Sequence, residues 1–319
     1  MPSNWIFWAV FNVFVVAMLA LDLGVFHRHK HVVRFREAIA WTAVWITLAA
    51  CFAVLIYFFG HTMVGHGGRP NAQLSLEFAT GYLIELSLSV DNLFVFLLIF
   101  RYFSVPRHLQ HEVLFWGVLG ALIMRAIFIA AGVTLLNRFH WIAYVFGGIL
   151  IYSGIKLFRQ HGAEIHPEAN PVLRSFRKIF RVTHNYEDNR FFVRRGALRY
   201  ATPLALVLIV IETTDVLFAV DSVPAVLAVT RDPFIVYTSN VFAILGLRSL
   251  YFALAGMLEA FHLLHYGLSV ILILIGLKML VSEYIQVPTT AALAAVAGVL
   301  AISIVLSLVF PQKKRATAS

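Results

Sequence analysis

Residues 85–92 read ELSLSVDN and residues 212–224 read ETTDVLFAVDSVP, and both lie inside long apolar runs. An acidic side chain at the centre of a membrane helix costs about 2.5–3.5 kcal/mol to insert, so such acids face a bundle interior and serve a function. The two stretches are also related to each other. Setting Glu85 on Asp215 brings Asp91 onto Asp221 and Asn92 onto Ser222. Downstream, LIMR ending at Arg125 matches LGLR ending at Arg248, and YVFGGILIYSGIKLF (144–158) matches YGLSVILILIGLKML (266–280) without a gap. A three-segment unit is therefore present twice, the strongest organisational signal in the chain.

Composition sets the class. Only 13% of the 319 residues are charged and 61% are hydrophobic, with a mean hydropathy of +0.84, whereas a soluble domain carries about a quarter charged residues. The expectation is an all-α polytopic membrane protein forming one transmembrane unit over residues 1–319. The formal charge of +9 does not point to nucleic acid, because the Lys and Arg sit beside apolar spans, where they set topology. The one cysteine, Cys51, excludes a disulfide framework and any CxxC metal or redox motif.

Apolar runs of about 20 residues cross a bilayer as helices. Nine are expected, at 5–26, 38–59, 74–100, 112–134, 140–158, 201–229, 234–257, 266–282 and 289–310. The first lacks a basic leader and a small-residue cleavage site and reads as a retained helix. Repeat one covers about 74–158 and repeat two about 201–282, with a basic loop at 159–200 between them and peripheral helices at 5–26, 38–59 and 289–310. Each repeat holds three spans and no span separates them, so the second copy must cross the membrane inverted, a common transporter plan with its site near the midplane. Eighteen of the 25 Lys and Arg fall on the side shared by the 159–200 loop and the C-terminal tail. The positive-inside rule then places the N-terminus outside and the C-terminus in the cytoplasm. Within the loop, VLRSFRKIF (172–180) has an amphipathic pattern; a solvated linker is the favoured reading and a lipid-contacting or regulatory segment the alternative.

The chemistry of the two acidic stretches is that of oxygen donors. Glu85, Asp91, Asn92, Glu212, Asp215, Asp221 and Ser222 form the candidate set, with Ser87, Ser89, Thr213 and Thr214 nearby. An all-oxygen set suits Mg²⁺, Ca²⁺ or Mn²⁺, while imidazole or thiolate would favour zinc or copper. On a straight helix six residues separate Glu85 from Asp91 by about 120° and about 9 Å. One helix cannot aim both at one ion. Ligands must come from both repeats, or the helices must break. Pro224 is the expected break, because its ring frees the carbonyl of Val220; repeat one has Phe94 at the matching position. Arg125 and Arg248 are equivalent in the repeat and are each expected to pair with a carboxylate. The acids still outnumber the arginines, so protons are expected to share the empty site and leave when a cation binds, the chemistry of an exchanger. Asp22 in the first span is an auxiliary candidate, equally readable as a satisfied acid near the interface. His27, His29 and His31 have a metal-holding spacing, but read more simply as a solvated loop. No HExxH, GxSxG or GxGD-like motif accompanies the acids, and no enzyme activity is expected.

At these residues the sequence resembles the tellurite-resistance TerC family, in its Alx-like branch. The resemblance rests on ELSLSVDNLFVF (85–96), ETTDVLFAVDSVPAVLAVT (212–230) and ALDLGVFHR (20–28). It implies a bacterial inner-membrane protein of the LysE-like transporter group, associated with Mn²⁺ export, alkaline-pH response and tellurite resistance. It also implies that the family's acidic positions fall on Glu85, Asp91, Asn92, Glu212, Asp215, Asp221 and Ser222. The expected activity is export of a hard divalent cation, Mn²⁺ foremost, by alternating access in exchange for protons, with no resident cofactor. Competing readings are a Ca²⁺ or other cation exporter, and a scaffold of a stress-resistance complex. Membrane lipids, a second copy of the chain, or soluble partners docking on the 159–200 loop are the expected partners.

Overall fold

The computed structural model describes residues 4–27, 35–64, 68–139, 141–159, 170–183, 185–195, 198–255, 263–282, 284–285 and 287–310. Its elements are α1 (Asn4–His27), α2 (Phe35–Val64), α3 (Asn71–Tyr102), α4 (Arg107–Arg138), α5 (Ile142–Arg159), α6 (Pro171–Ile179), β1 (Arg181–Val182), β2 (Phe192–Arg195), β3 (Leu198–Ala201), α7 (Pro203–Leu227), α8 (Pro233–Leu254), α9 (Leu264–Val281) and α10 (Thr289–Val309). Eight of these helices, α2 to α5 and α7 to α10, are long and apolar enough to cross a membrane, and α1 adds a shorter described apolar run, Trp5–Leu21. The chain is thus an all-α polytopic membrane protein.

Proline marks where the helices begin. Pro70, Pro106 and Pro288 stand just before α3, α4 and α10, and Pro171, Pro203 and Pro233 open α6, α7 and α8. A first-turn N–H has no partner within its own helix, so the missing donor costs nothing there. Asn170 and Asp232 complete two of these starts by accepting from the amides of Val172 and Leu173, and of Phe234 and Ile235.

The outer surface is set by lipid-facing side chains such as Val13, Phe58, Tyr152 and Ile302, all more than half exposed. The centre is α8, buried over nearly its whole length and packed against α2, α3 and α4. Around it α4 lies on α7, α3 crosses α7, and α5 lies on α9 in the most extensive helix contact of the chain. Glycines bring that pair to backbone contact. A Cβ on Gly276 would lie 2.8 Å from the Gly147 carbonyl oxygen, and one on Gly154 would lie 2.8 Å from that of Ser269. Numbers rise along α5 as they fall along α9, so the two helices run antiparallel. By the same test α4 and α7 run parallel, since Gly117 meets Ile211 and Gly132 meets Leu227. So do α3 and α8, where Phe78 meets Phe242 and Phe100 meets Tyr251 at ring separations of 5.9 and 5.6 Å.

Two features depart from the sequence reading. First, α7 passes through Pro224 without interruption and ends three residues later at Leu227. The proline falls in the last turn, so only three residues of helix lie beyond it and a distortion there moves little of the chain. Second, the loop between the repeats is built. α6 buries Leu173, Phe176 and Phe180 stack at 4.7 Å, and a three-stranded sheet in the order β1-β3-β2 follows, with β3 antiparallel to β2 and parallel to β1. Tyr186 donates from its hydroxyl to the Phe103 carbonyl at 2.7 Å, fastening this unit to the turn between α3 and α4. Burial pushes the Tyr186 phenol up to about 12.

Candidate functional site

The two acidic stretches meet inside the bundle. Glu85 on α3 and Asp215 on α7 are 0% and 3% exposed, and both turn toward Arg125 on α4. The Arg125 Nη1 donates to Glu85 Oε1 and, at 3.2 Å, to Asn240 Oδ1 on α8. The Nη2 lies 3.7 Å from Asp215 Oδ1. Four helices therefore converge on one guanidinium, which holds one acid from each repeat. Glu85 Oε2 and Asp215 Oδ2 remain buried with no hydrogen-bond partner among the described residues. Ser222 is buried beside the Glu85 carboxylate, without a hydrogen bond of good geometry. A buried carboxylate oxygen to which the protein offers no donor is a group able to take an ion, a proton or a water as its partner.

The remaining acids stand around this centre in matching places. Asp91 turns toward α9 and, with Ser87, Val90, Phe94, Leu264, His265 and Leu268, lines a small cavity with room for about one water. Asp221 turns toward α5, where it accepts from Ser153 Oγ at 2.6 Å and lies within the influence of Lys156. The repeat relates Asp91 to Asp221, and each points at the helix that closes the opposite repeat. Glu212 stays half-buried and presses its carboxylate into the space above Gly120 on α4, which a Cβ would occupy. Beside it, Thr213 accepts from Asn170 Nδ2 at 2.7 Å, so the cap of α6 reaches the edge of the site. Asn92 is buried further along α3.

The candidate oxygen donors do not fall into one cluster: Glu85 and Asp215 meet at Arg125, and Asp91, Glu212 and Asp221 stand around them. Among the described residues no three acidic, histidine or cysteine side chains come together closely enough to hold one ion. The reason is the one the spacing states. Both helices stay continuous, so residues six apart look in different directions, Glu85 and Asp215 inward and Asp91 and Asp221 toward the flanking helices. The pairing expected of Arg125 is realised with two acids. Arg248 is buried on α8. The side chain of Asp22, and His29 and His31, lie outside the described residues, as does the side chain of His27.

Several functional candidates escaped the sequence reading. Asn240, Ser153 and His265 are polar residues within or at the start of apolar helices, and Glu77 is a further buried acid on α3. The signal for Asn240 and Glu77 was present, a polar side chain amid an apolar run; for Ser153 and His265 only the fold reveals the neighbour.

Comparison with known proteins places the chain. Residues 71–315 match the family described as the integral membrane protein TerC family. A membrane protein of Myxococcus xanthus is 50% identical over 302 residues, 95% of this chain and 92% of its own length. The protein named Alx in Escherichia coli, provisionally described as a membrane-bound redox modulator, is 47% identical over 302 residues, 94% of this chain and 93% of its own. A membrane protein of Rickettsia bellii is 38% identical, covering 95% and 97%. No solved structure matches the chain. With a family match that begins at the first residue of α3 and takes in both acidic helices, the chain belongs to the TerC family of integral membrane proteins.

Proposed function

We propose that the protein exports a hard divalent cation, Mn²⁺ in the first place, by alternating access in exchange for protons. The observation that carries this reading is the meeting of Glu85 and Asp215, one acid from each copy of a duplicated segment, on Arg125 at the buried crossing of α3 and α7. Before a cation arrives the guanidinium balances one of the two acids and a shared proton the other. An arriving cation takes the two oxygens that Arg125 leaves spare, Glu85 Oε2 and Asp215 Oδ2, and displaces that proton. Oxygen donors suit Mn²⁺, Mg²⁺ and Ca²⁺ alike. Asp91 and Asp221 flank the centre on opposite sides and serve as stations for the cation or its counter-ion on the way in and out. The antiparallel α5–α9 contact and the matched parallel pairs α3/α8 and α4/α7 are what two inverted repeats would produce, and they support the exchange of conformations that alternating access needs. The topology that fits the basic residues has the N-terminus outside and the C-terminus, with the α6 and β-sheet unit, in the cytoplasm of a bacterial inner membrane.

The test is Mn²⁺ content in cells overproducing the protein, together with Mn²⁺ flux in proteoliposomes. Overproduction should lower cellular Mn²⁺, and Asp91→Asn or Asp221→Asn should abolish flux while the protein still elutes as a single folded species. Cellular Mn²⁺ that does not respond, with flux equal to that of empty liposomes, defeats the proposal. Stronger inhibition by Ca²⁺ than by Mn²⁺ in competition would reassign the cargo. A second reading, redox modulation, is favoured by the description of the Alx relatives. With Cys51 as its one cysteine the chain cannot form an internal disulfide, so such a role would act through the metal supplied, and Cys51→Ser would leave it intact.

A further inference from the structure

A second charged cluster lies toward the face that carries the α2–α3 and α7–α8 connections. Arg69, at the foot of α3 and one-third exposed, donates through Nη1 to Glu77 Oε2 at 2.8 Å and through Nη2 to Asp232 Oδ2 at 3.2 Å. Glu77 is 3% exposed. It also accepts from Thr230 Oγ1 at 2.6 Å and from Gln73 Nε2 at 3.1 Å. Asp232 is fixed in turn as the cap of α8. Lys278 of α9 donates to the Ala228 carbonyl at 3.1 Å and lies within the influence of Glu77. Burial pushes the Asp232 carboxyl above its ordinary range, against the opposing pull of the α8 amides and Arg69.

Glu77 precedes Glu85 by eight residues, which places it about 12 Å along α3 from the central acids, toward this face. Arg69 reaches it from the aqueous end. One side of the guanidinium holds α3, of the first repeat, and the other holds the turn between α7 and α8, of the second. A buried ion pair adds little stability over apolar packing, yet it is costly to leave half-made, so it suits an element with two discrete arrangements. We propose that Arg69, Glu77 and Asp232 form a charged latch that closes the cation route at this face and parts when the two repeats separate. The proposal rests on the transport reading of the site.

The test uses a Cys51→Ala background with Thr80→Cys as reporter, since Thr80 is fully buried between Glu77 and Glu85. Vesicles of both orientations are treated with a membrane-impermeant maleimide. Labelling should be slow with the latch intact, and at least fivefold faster from the latch face in Glu77→Gln or Arg69→Ala. Unchanged labelling, or an equal rise from both faces, overturns the latch. In separate protein, Arg69→Cys with Asp232→Cys bridged by a bifunctional thiosulfonate should reduce Mn²⁺ flux at least tenfold and recover with reductant; flux that continues through the bridge also overturns it. The labelling result needs no transport, so loss of the exporter reading and loss of the latch are distinguishable.

Discussion

Replacing Arg125 with methionine keeps most of the side chain's volume and removes its charge. The guanidinium binds Glu85 directly, lies 3.7 Å from Asp215 and donates to Asn240 at 3.2 Å. Its loss would leave two carboxylates facing one another in a site 0–3% exposed. Breaking a single buried pair from one side costs about 3–5 kcal/mol, roughly a hundred- to several-thousandfold in a folding equilibrium. The second acid, at longer range, should place Arg125→Met in the upper half of that span. Adding Glu85→Gln and Asp215→Asn should return most of the loss, because no charge is then stranded, and the triple variant should outlast the single one. Unfolding of purified protein in mixed detergent micelles, followed by loss of monodispersity on heating, measures the series. A non-additive recovery is the signature of one coupled unit. If Arg125→Met alone is as stable as the parent, the acids do not depend on the arginine, and the account of the centre is wrong.

Three other outcomes follow from particular contacts. Gly276→Ala places a methyl 2.8 Å from the Gly147 carbonyl oxygen and should cost about 1–3 kcal/mol of stability by overpacking, read in the same heating assay. Gly120→Ala displaces only the flexible end of Glu212; it should fold normally and lower Mn²⁺ flux, and undiminished flux would remove Glu212 from the route. Asn170→Ala removes the cap of α6 and its bond to Thr213, costing about 1 kcal/mol, and hydrogen exchange should speed up at the Val172 and Leu173 amides more than in α7.

Much of this was legible from residues alone. The spans could be placed within a few residues because apolar run length and membrane thickness are the same constraint, whereas the prolines that mark the helix starts were a signal the reading left unused. The repeat pointed to Glu85, Asp215 and Arg125, which do meet. It did not by itself say which neighbour each duplicated acid would face. On a continuous helix acids six apart face different ways, and α7 runs on through Pro224, one turn from its end. The strands were hidden because β1 has two residues and β2 and β3 read as charged loop (FVRR and LRYA), too short for a period of two to show. For Arg69, nothing in its neighbours along the chain reveals that Asp232, 163 residues away, would be its partner.

The glycine seam between α5 and α9 limits how this molecule can move. At Gly147, Gly154 and Gly276 carbonyl oxygens stand where a methyl would have to sit, with Ile151, Ile273 and Leu280 wedged beside them, and sliding by even a fraction of a turn would drive these side chains into the facing backbone. If the two repeats exchange conformations as proposed, the motion this seam permits is rotation, with α5 and α9 as the axle and the acid-bearing helices as the parts that swing.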